Sequence, residues 1–331
     1  MAAQPLETLT AMALVTAATA APSMHNAQPW RFRFHTATGT FEVRADPERS
    51  MPRTDPDGRA LHLGCGAALF NLRVAAAHSG LHTRTKVLPD PADPELLATV
   101  RLDDTTAPDQ GLAALFAAVH ERHTSRQPFS EKEIPADVQE LLREAARQEG
   151  AQLLFAEAWH AETVLGLVQD AEGRDTLDPE RFEDIRRWTR PGSGFEEIDP
   201  SGDGIPEYAF GPRKRSGKAP VRDFAGRSPA AGRGSDAFEN IPHLALLGTR
   251  EDRPANWLRA GQAMQRVLLL ATRQGLATSL TSHALEWPDL RQLVRDPLST
   301  MGHVHMVLRL GHGPAGPTTP RRPVHEVLDV D

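Results

Sequence analysis

The 331-residue sequence predicts an α+β fold in which two pseudo-symmetric halves share one chain. Three observations predict it: a gapless internal repeat of long apolar helices, strand-forming segments after each copy, and a polar turn that runs into a strand of period two. The repeat aligns LGCGAALFNLRVAAAHSGL (63–81) with LRAGQAMQRVLLLATRQGL (258–276). Leu63, Gly66, Ala68, Ala76, Gly80 and Leu81 match Leu258, Gly261, Ala263, Ala271, Gly275 and Leu276. Both runs end in Gly-Leu, a helix C-cap pattern. Helices that are apolar all round belong in the middle of a large core. Gly66, Ala68, Gly261 and Ala263 let two such backbones approach closely. Self-similarity of this kind marks a duplicated unit, and we divide the chain into halves at 1–118 and 119–331.

In chain order, residues 5–20 read as a core helix stopped near Pro22. The segment APSMHNAQPWRFRF (21–34) places Pro22, Ser23, His25, Asn26 and Gln28 on a turn. Trp30, Phe32 and Phe34 then alternate with Arg31 and Arg33, the signature of a half-buried strand. Uncharged donors and acceptors on the turn suit the polar edge of a bound heterocycle. They suit equally a loop that caps a helix. LHTRTKVL (81–88) and LLATVRL (96–102) supply strand after the first core helix. In the second half, Pro135 opens an amphipathic helix with Val138, Leu141, Leu142 and Ala145 on one face. Residues 170–240 are rich in Gly, Pro, Ser and charge, with only RFEDIRRWTR (181–190) helix-like. So long a loop in a compact domain is a lid, a binding loop or disorder; Phe195, Tyr208, Phe210 and Phe224 are the aromatics that could anchor a lid. After the second core helix, HVHMVLRLG (303–311) alternates as a strand does.

Composition excludes several function classes. Net charge is −7, so no general attraction to nucleic acid or an anionic membrane is expected. A single cysteine, Cys65, excludes an intramolecular disulfide framework and a multi-cysteine metal site. Its place in an apolar helix reads as inert core. Residues 11–22 are apolar and end in small residues, but the first basic residue is Arg31, so they do not read as a secretory signal. The cytoplasm is the expected compartment. His303 and His305 share a strand face without a carboxylate or cysteine beside them, a weak metal signal. GPRKRSGK (211–218) reads as a solvated basic segment.

Two basic clusters remain. Arg122, His123, Thr124 and Arg126 set cations and a hydroxyl within five residues, a group able to hold a phosphate or to form a solvated loop. Arg321 and Arg322 stand between prolines in TTPRRPVHEVL (318–328), which fixes their direction.

Taken in this order, PSMHNAQPWRF (22–32), RHTSRQPF (122–129), the Gly-Leu core helices and RRPVHEVL (321–328) resemble the nitroreductase superfamily of FMN proteins, and within it the two-in-one Acg-type branch. The resemblance covers nearly the whole chain. It implies a nitroreductase-like fold with a mainly antiparallel sheet packed on helices in each half. Ordinary members are homodimers that build FMN sites at the subunit interface from an Arg-rich opening and a Pro-Ser-x-x-Asn-x-Gln-Pro-Trp turn. Here the first half keeps the turn and the second keeps the opening, so the resemblance implies one complete FMN site per chain in a monomeric pseudo-dimer.

Carried over residue by residue, it implies that Arg122, His123, Thr124 and Arg126 hold the phosphate and the N1/O2 edge of the ring, with Arg321 or Arg322 completing the phosphate site. It implies that Pro22, Ser23, Met24, Asn26 and Gln28 line the ring or ribityl chain, and that Thr281 and Ser282 flank it. His123 stands where the family has a second arginine, which makes phosphate binding pH-dependent. The implied activity is hydride transfer from NADH or NADPH through flavin N5 to a small nitro- or quinone-like acceptor, with no protein acid or base required. The branch implies in addition that the insertion at about 170–240 closes over the flavin; a protein that sequesters FMN and turns over poorly is the alternative.

Overall fold

The computed structural model describes residues 4–190, 202–225 and 233–331. The first half runs α1 (Gln4–Thr19), β1 (Trp30–His35), β2 (Thr40–Ala45), α2 (Arg59–His78), β3 (His82–Val87) and β4 (Leu96–Asp103). Two short helices lead into α3 (Ala136–Gln148), β5 (Gln152–Phe155), α4 (Ala158–Asp175) and α5 (Pro179–Arg187). The chain ends with β6 (His243–Thr249), α6 (Pro254–Arg273), β7 (Ala277–Thr281), β8 (His303–Gly311) and β9 (Leu328–Val330).

The two main sheets share one plan. The first has the order β9-β1-β2-β4-β3 and the second β5-β6-β8-β7. Without β9, each sheet places the first, second, fourth and third strands of its own half side by side. All pairings within the two plans are antiparallel; only β9 joins β1 in parallel, so the end of the second half completes the sheet of the first.

Helices α2 and α6 cross at the centre, and the contact is reciprocal. A Cβ on Gly66 would collide with the Leu258 carbonyl, and one on Gly261 with the Leu63 carbonyl. These are the positions that the internal repeat equates. Both helices close alike: Gly80 (φ 82°) and Gly275 (φ 71°) are left-handed, and the next residue's N–H, from Leu81 or Leu276, donates to the Ala76 or Ala271 carbonyl at 2.9 Å. α2 is long and apolar enough to cross a membrane, but 83% of its apolar window is buried inside the protein, which makes it a core helix.

The sheets differ in cover. In β1, Trp30, Phe32 and Phe34 face the core while Arg31 and Arg33 are exposed, as period two predicts. In β8 every residue after His303 is buried, because α4 covers the face turned away from α6 with Val164, Leu165 and Val168. His305 is enclosed there and bonds Thr249 Oγ1 at 2.7 Å; among the described residues no group of side chains is arranged to hold a metal. The start of the insertion is more helical than the sequence predicts, with α4 running to Asp175 and α5 over Pro179–Arg187. Beyond Arg187 the described residues of the insertion are mainly irregular, with two short strand pairs, Thr189–Arg190 with Ile205–Pro206 and Arg213–Ser216 with Ser235–Ala237. Phe195 lies outside the described residues.

Candidate functional site

The turn between α1 and β1 is held in a costly conformation. His25, Asn26 and Gln28 all have positive φ (49°, 56° and 53°), at about 1–2 kcal/mol each for a side chain other than glycine. Short side chains hold it there. The Gln28 N–H donates to Ser23 Oγ (2.9 Å), and Asn26 Nδ2 donates to the Gly204 and Pro320 carbonyls (2.9 and 3.0 Å). Gln28 Nε2 donates to the Gly202 carbonyl (2.7 Å), and Gln28 Oε1 accepts from the Arg322 N–H (3.0 Å). The turn therefore gathers the C-terminal segment and the 202–225 segment around itself.

These pieces enclose a cavity with about 1090 Å³ of atom-free space, part of it open to solvent. Its walls come from the turn, the start of α2 (Arg59, Ala60, Leu63, Gly64), the 122–126 segment, Met264 of α6, and Ser279, Leu280, Ser282 and His283. Thr319 and Arg321 close one side, and Ile205, Val221, Arg222 and Phe224 cover another. The 122–126 segment is set in place by a bridge to β7, where the Ser125 N–H donates to the Thr278 carbonyl (2.8 Å).

Of the site residues expected from sequence, Pro22, Ser23, Met24, Asn26, Arg122, His123, Thr124, Arg126, Ser282 and Arg321 line this one cavity. Gln28, Thr281 and Arg322 do not. Gln28 is spent on the backbone contacts above, Thr281 Oγ1 donates to the Pro220 carbonyl (3.0 Å), and Arg322 turns to Asp46 (3.5 Å) and Glu326 (3.7 Å). Sequence reasoning left His25, His283, Arg59 and Arg222 without a role. The available signal was an arginine, Arg59, opening an otherwise apolar helix; Arg222 is one of several cations in the insertion and nothing local singles it out.

The two ends of the cavity differ in charge. At one end, Arg122 is 2% exposed and makes one hydrogen bond, from Nη2 to the Ala20 carbonyl (3.2 Å); its Nε and Nη1 have no partner. Arg321 donates to the Thr19, Ala20 and Ala21 carbonyls (2.7, 3.2 and 3.3 Å) at the end of α1. Neither forms a salt bridge to a carboxylate among the described residues. Burial, and for Arg122 the neighbouring Arg321, pushes them down to about 9 and about 10. His123 is also lowered, first by burial and then by Arg122 and Arg321. Nearby, Arg126 donates to the Ala209 carbonyl (2.9 Å) and lies 4.9 Å over the Phe224 ring.

At the other end the charges are already paired. Arg222 bonds Glu286 (2.5 Å) and approaches Asp175 (3.4 Å), and Ser282 Oγ donates to the same Glu286 oxygen (2.7 Å). His25 and His283 are both buried and line the cavity beside them. Burial, then Arg222, holds both imidazoles well below the usual histidine range.

Comparison with known proteins finds similarity over most of the chain. Residues 119–312 match the model of the nitroreductase family. A protein of Mycobacterium tuberculosis (strain H37Rv) named "Putative NAD(P)H nitroreductase" is 34% identical, over 97% of this chain and 91% of its own length. A second from the same strain, "Putative NAD(P)H nitroreductase acg", is 30% identical over 94% of this chain and 92% of its own. Among solved structures, the FMN and NADPH-dependent nitroreductase NfnB from Sphigopyxis sp. strain HMH is 18% identical, with 65% of this chain and 97% of that one covered at a TM-score of 0.42.

Proposed function

The chain belongs to the nitroreductase family, and from that premise we propose that it is an oxidoreductase that binds one FMN in this cavity and passes reducing equivalents from NADH or NADPH to a small nitro- or quinone-like acceptor. The observation that carries the reading is Arg122: a buried guanidinium with two unspent donor atoms, beside Arg321, in the wall of a cavity where neither has a carboxylate partner among the described residues. A buried cation without a carboxylate is costly unless an anion joins it. The donor set therefore fits a phosphate-bearing cofactor.

When bound, FMN supplies the reversible two-electron chemistry at N5. The chain's own residues hold and shape the site. Arg122, Arg321, His123 and Thr124 are the candidates for the phosphate; Pro22, Ser23, Met24, Asn26 and Ser282 line the remainder. Arg126 provides positive charge where reduction adds negative charge. Both turn and cations belong to one chain, so one copy suffices and a monomer is the expected working unit.

The insertion favours a second reading, sequestration. Gln28, Asn26, Arg126, Thr281 and Glu286, in or behind the cavity wall, bind residues 202–222, which would restrict entry of a nicotinamide. Anaerobic absorbance of the FMN-loaded protein separates the two. Prompt bleaching by NADH or NADPH supports the oxidoreductase. A flavin band that resists both donors but yields to dithionite supports sequestration. A protein that retains no FMN removes both.

A further inference from the structure

The uncharged end of the cavity has its own unspent chemistry. Both ring nitrogens of His283 and Nε2 of His25 are buried without a hydrogen-bond partner. His283 is 2% exposed and His25 6%. The nearest carboxylate oxygen to His283, Glu172 Oε1, stands 3.7 Å from Nε2, beyond hydrogen-bond reach. Buried polar atoms of folded proteins are normally satisfied, and three on two cavity-lining rings leave room for a partner that enters the cavity.

We infer that His25 and His283 form an acceptor subsite that hydrogen-bonds the oxygen of a small, flat, uncharged acceptor of the quinone class; this rests on the flavin reading above. The chemistry of the surroundings selects that class. Arg222 is consumed by Glu286 and Asp175, Arg126 is held by the Ala209 carbonyl and the Phe224 ring, and Arg59 by the His305 and Leu285 carbonyls, so the cations beside the histidines are engaged within the protein rather than left for an anionic substrate. Burial and Arg222 keep both imidazoles neutral, Arg126 adding to this at His25 and Lys214 at His283. A neutral imidazole still offers one N–H to a carbonyl oxygen. The walls suit a flat apolar body: Phe224 meets His25 edge-on (centroids 5.5 Å apart, 84° between planes), and Met264 and Met306 are adaptable thioethers. The left-handed backbone at His25 (φ 49°) is the strained element that points to a functional placement. Phosphate binding and acceptor binding thus draw on different unspent groups of one cavity, the Arg122 donors for one and the imidazole nitrogens for the other.

The test uses menadione as an uncharged quinone and 1,4-naphthoquinone-2-sulfonate as its anionic counterpart, titrated without reductant into the FMN-loaded protein and followed by the flavin spectrum. His283→Leu and His25→Leu should each raise the menadione Kd at least tenfold with FMN content unchanged. His283→Gln, which keeps a donor, should recover most of the loss, and circular dichroism checks that each variant is folded. Wild-type protein should bind the sulfonate at least tenfold more weakly than menadione. Menadione affinities within twofold of wild type in the leucine variants, equal binding of the sulfonate, or FMN lost in step with menadione would each overturn the subsite. If wild-type protein retains no FMN, the cofactor reading fails separately, and the same titration of the flavin-free cavity by tryptophan fluorescence still decides the histidine pair.

Discussion

The two halves share a sheet plan, a helix-end motif and a reciprocal glycine contact, and both line the cavity, yet only one of the two helix-to-strand connections takes part in it. The difference lies in the connection from the first helix to the first strand. In the first half, residues 20–29 make a ten-residue turn with three left-handed side chains, enclosed by the C-terminus and by 202–225. In the second half, three residues suffice: Glu149, Gly150 and Ala151. Glu149 is pinned by Arg73 (2.7 Å) and Arg266 (2.8 Å), from α2 and α6. One helix end thus faces arginines without carboxylates, and its counterpart offers a carboxylate held by two arginines. A duplicated frame can keep its core and lose one of two sites simply by shortening a turn and neutralising its charge internally.

The shared frame is the part most easily broken. Gly66→Val places a branched side chain against the Leu258 backbone, which cannot move aside. We expect a loss on the order of 4 kcal/mol, read by thermal or denaturant unfolding, and the same loss for Gly261→Val. A much smaller loss at one of the pair would show that the pseudo-symmetry is not energetic. Next in size is Glu149→Ala. Removing the partner of two half-buried arginines should cost about 3 kcal/mol, with FMN affinity unchanged. Reduced FMN affinity with unaltered stability would mean that the second half still contributes a site.

What could be read from the sequence follows the same division. The core helices were legible because helix ends and close approaches are local: Gly80-Leu81 and Gly275-Leu276 encode the caps, and Gly66 and Gly261 the crossing. β1 was legible because one face meets water. β8 announced a strand but not its double burial, since its second cover comes from α4, more than a hundred residues earlier. For the site, the 22–28 turn and the 122–126 cluster carry dense polar signals. Which arginine of the C-terminal pair faces the cavity depends on Gln28 capturing the Arg322 N–H, a contact across 294 residues that no local pattern predicts. His25 and His283 were undervalued for another reason: His25 sits on the polar turn and His283 follows Ser282, but nothing local shows that their ring nitrogens are buried without partners.

The asymmetry in charge gives two finer tests. Arg122→Met keeps the volume and removes the unspent donors. FMN affinity should fall roughly 10- to 100-fold, the worth of hydrogen bonds to a charged group. The flavin-free protein should unfold no earlier than wild type, since a buried cation without a carboxylate has been removed. That outcome is the opposite of Glu149→Ala, where stability falls and affinity holds. A lower Tm for flavin-free Arg122→Met would make the arginine a structural member like its counterparts Arg73 and Arg266.

The smallest effect is that of His123, and its sign differs between free and bound protein. In the free protein, burial, Arg122 and Arg321 lower its pKa, so the unfolded chain binds more protons than the native one. Its contribution to stability is therefore present above about pH 6.5 and is lost as pH falls toward the depressed native value. A phosphate beside it opposes the two arginines and raises the same pKa, so binding takes up protons and tightens as pH falls from about 8 to about 6. The phosphate itself titrates near pH 6 and weakens its own charge there. The readout is accordingly the difference between wild type and His123→Gln: a wild-type advantage growing up to about tenfold toward low pH, the equivalent of one pKa unit. Parallel pH profiles would remove His123 from the phosphate and leave the anion to Arg122 and Arg321 alone.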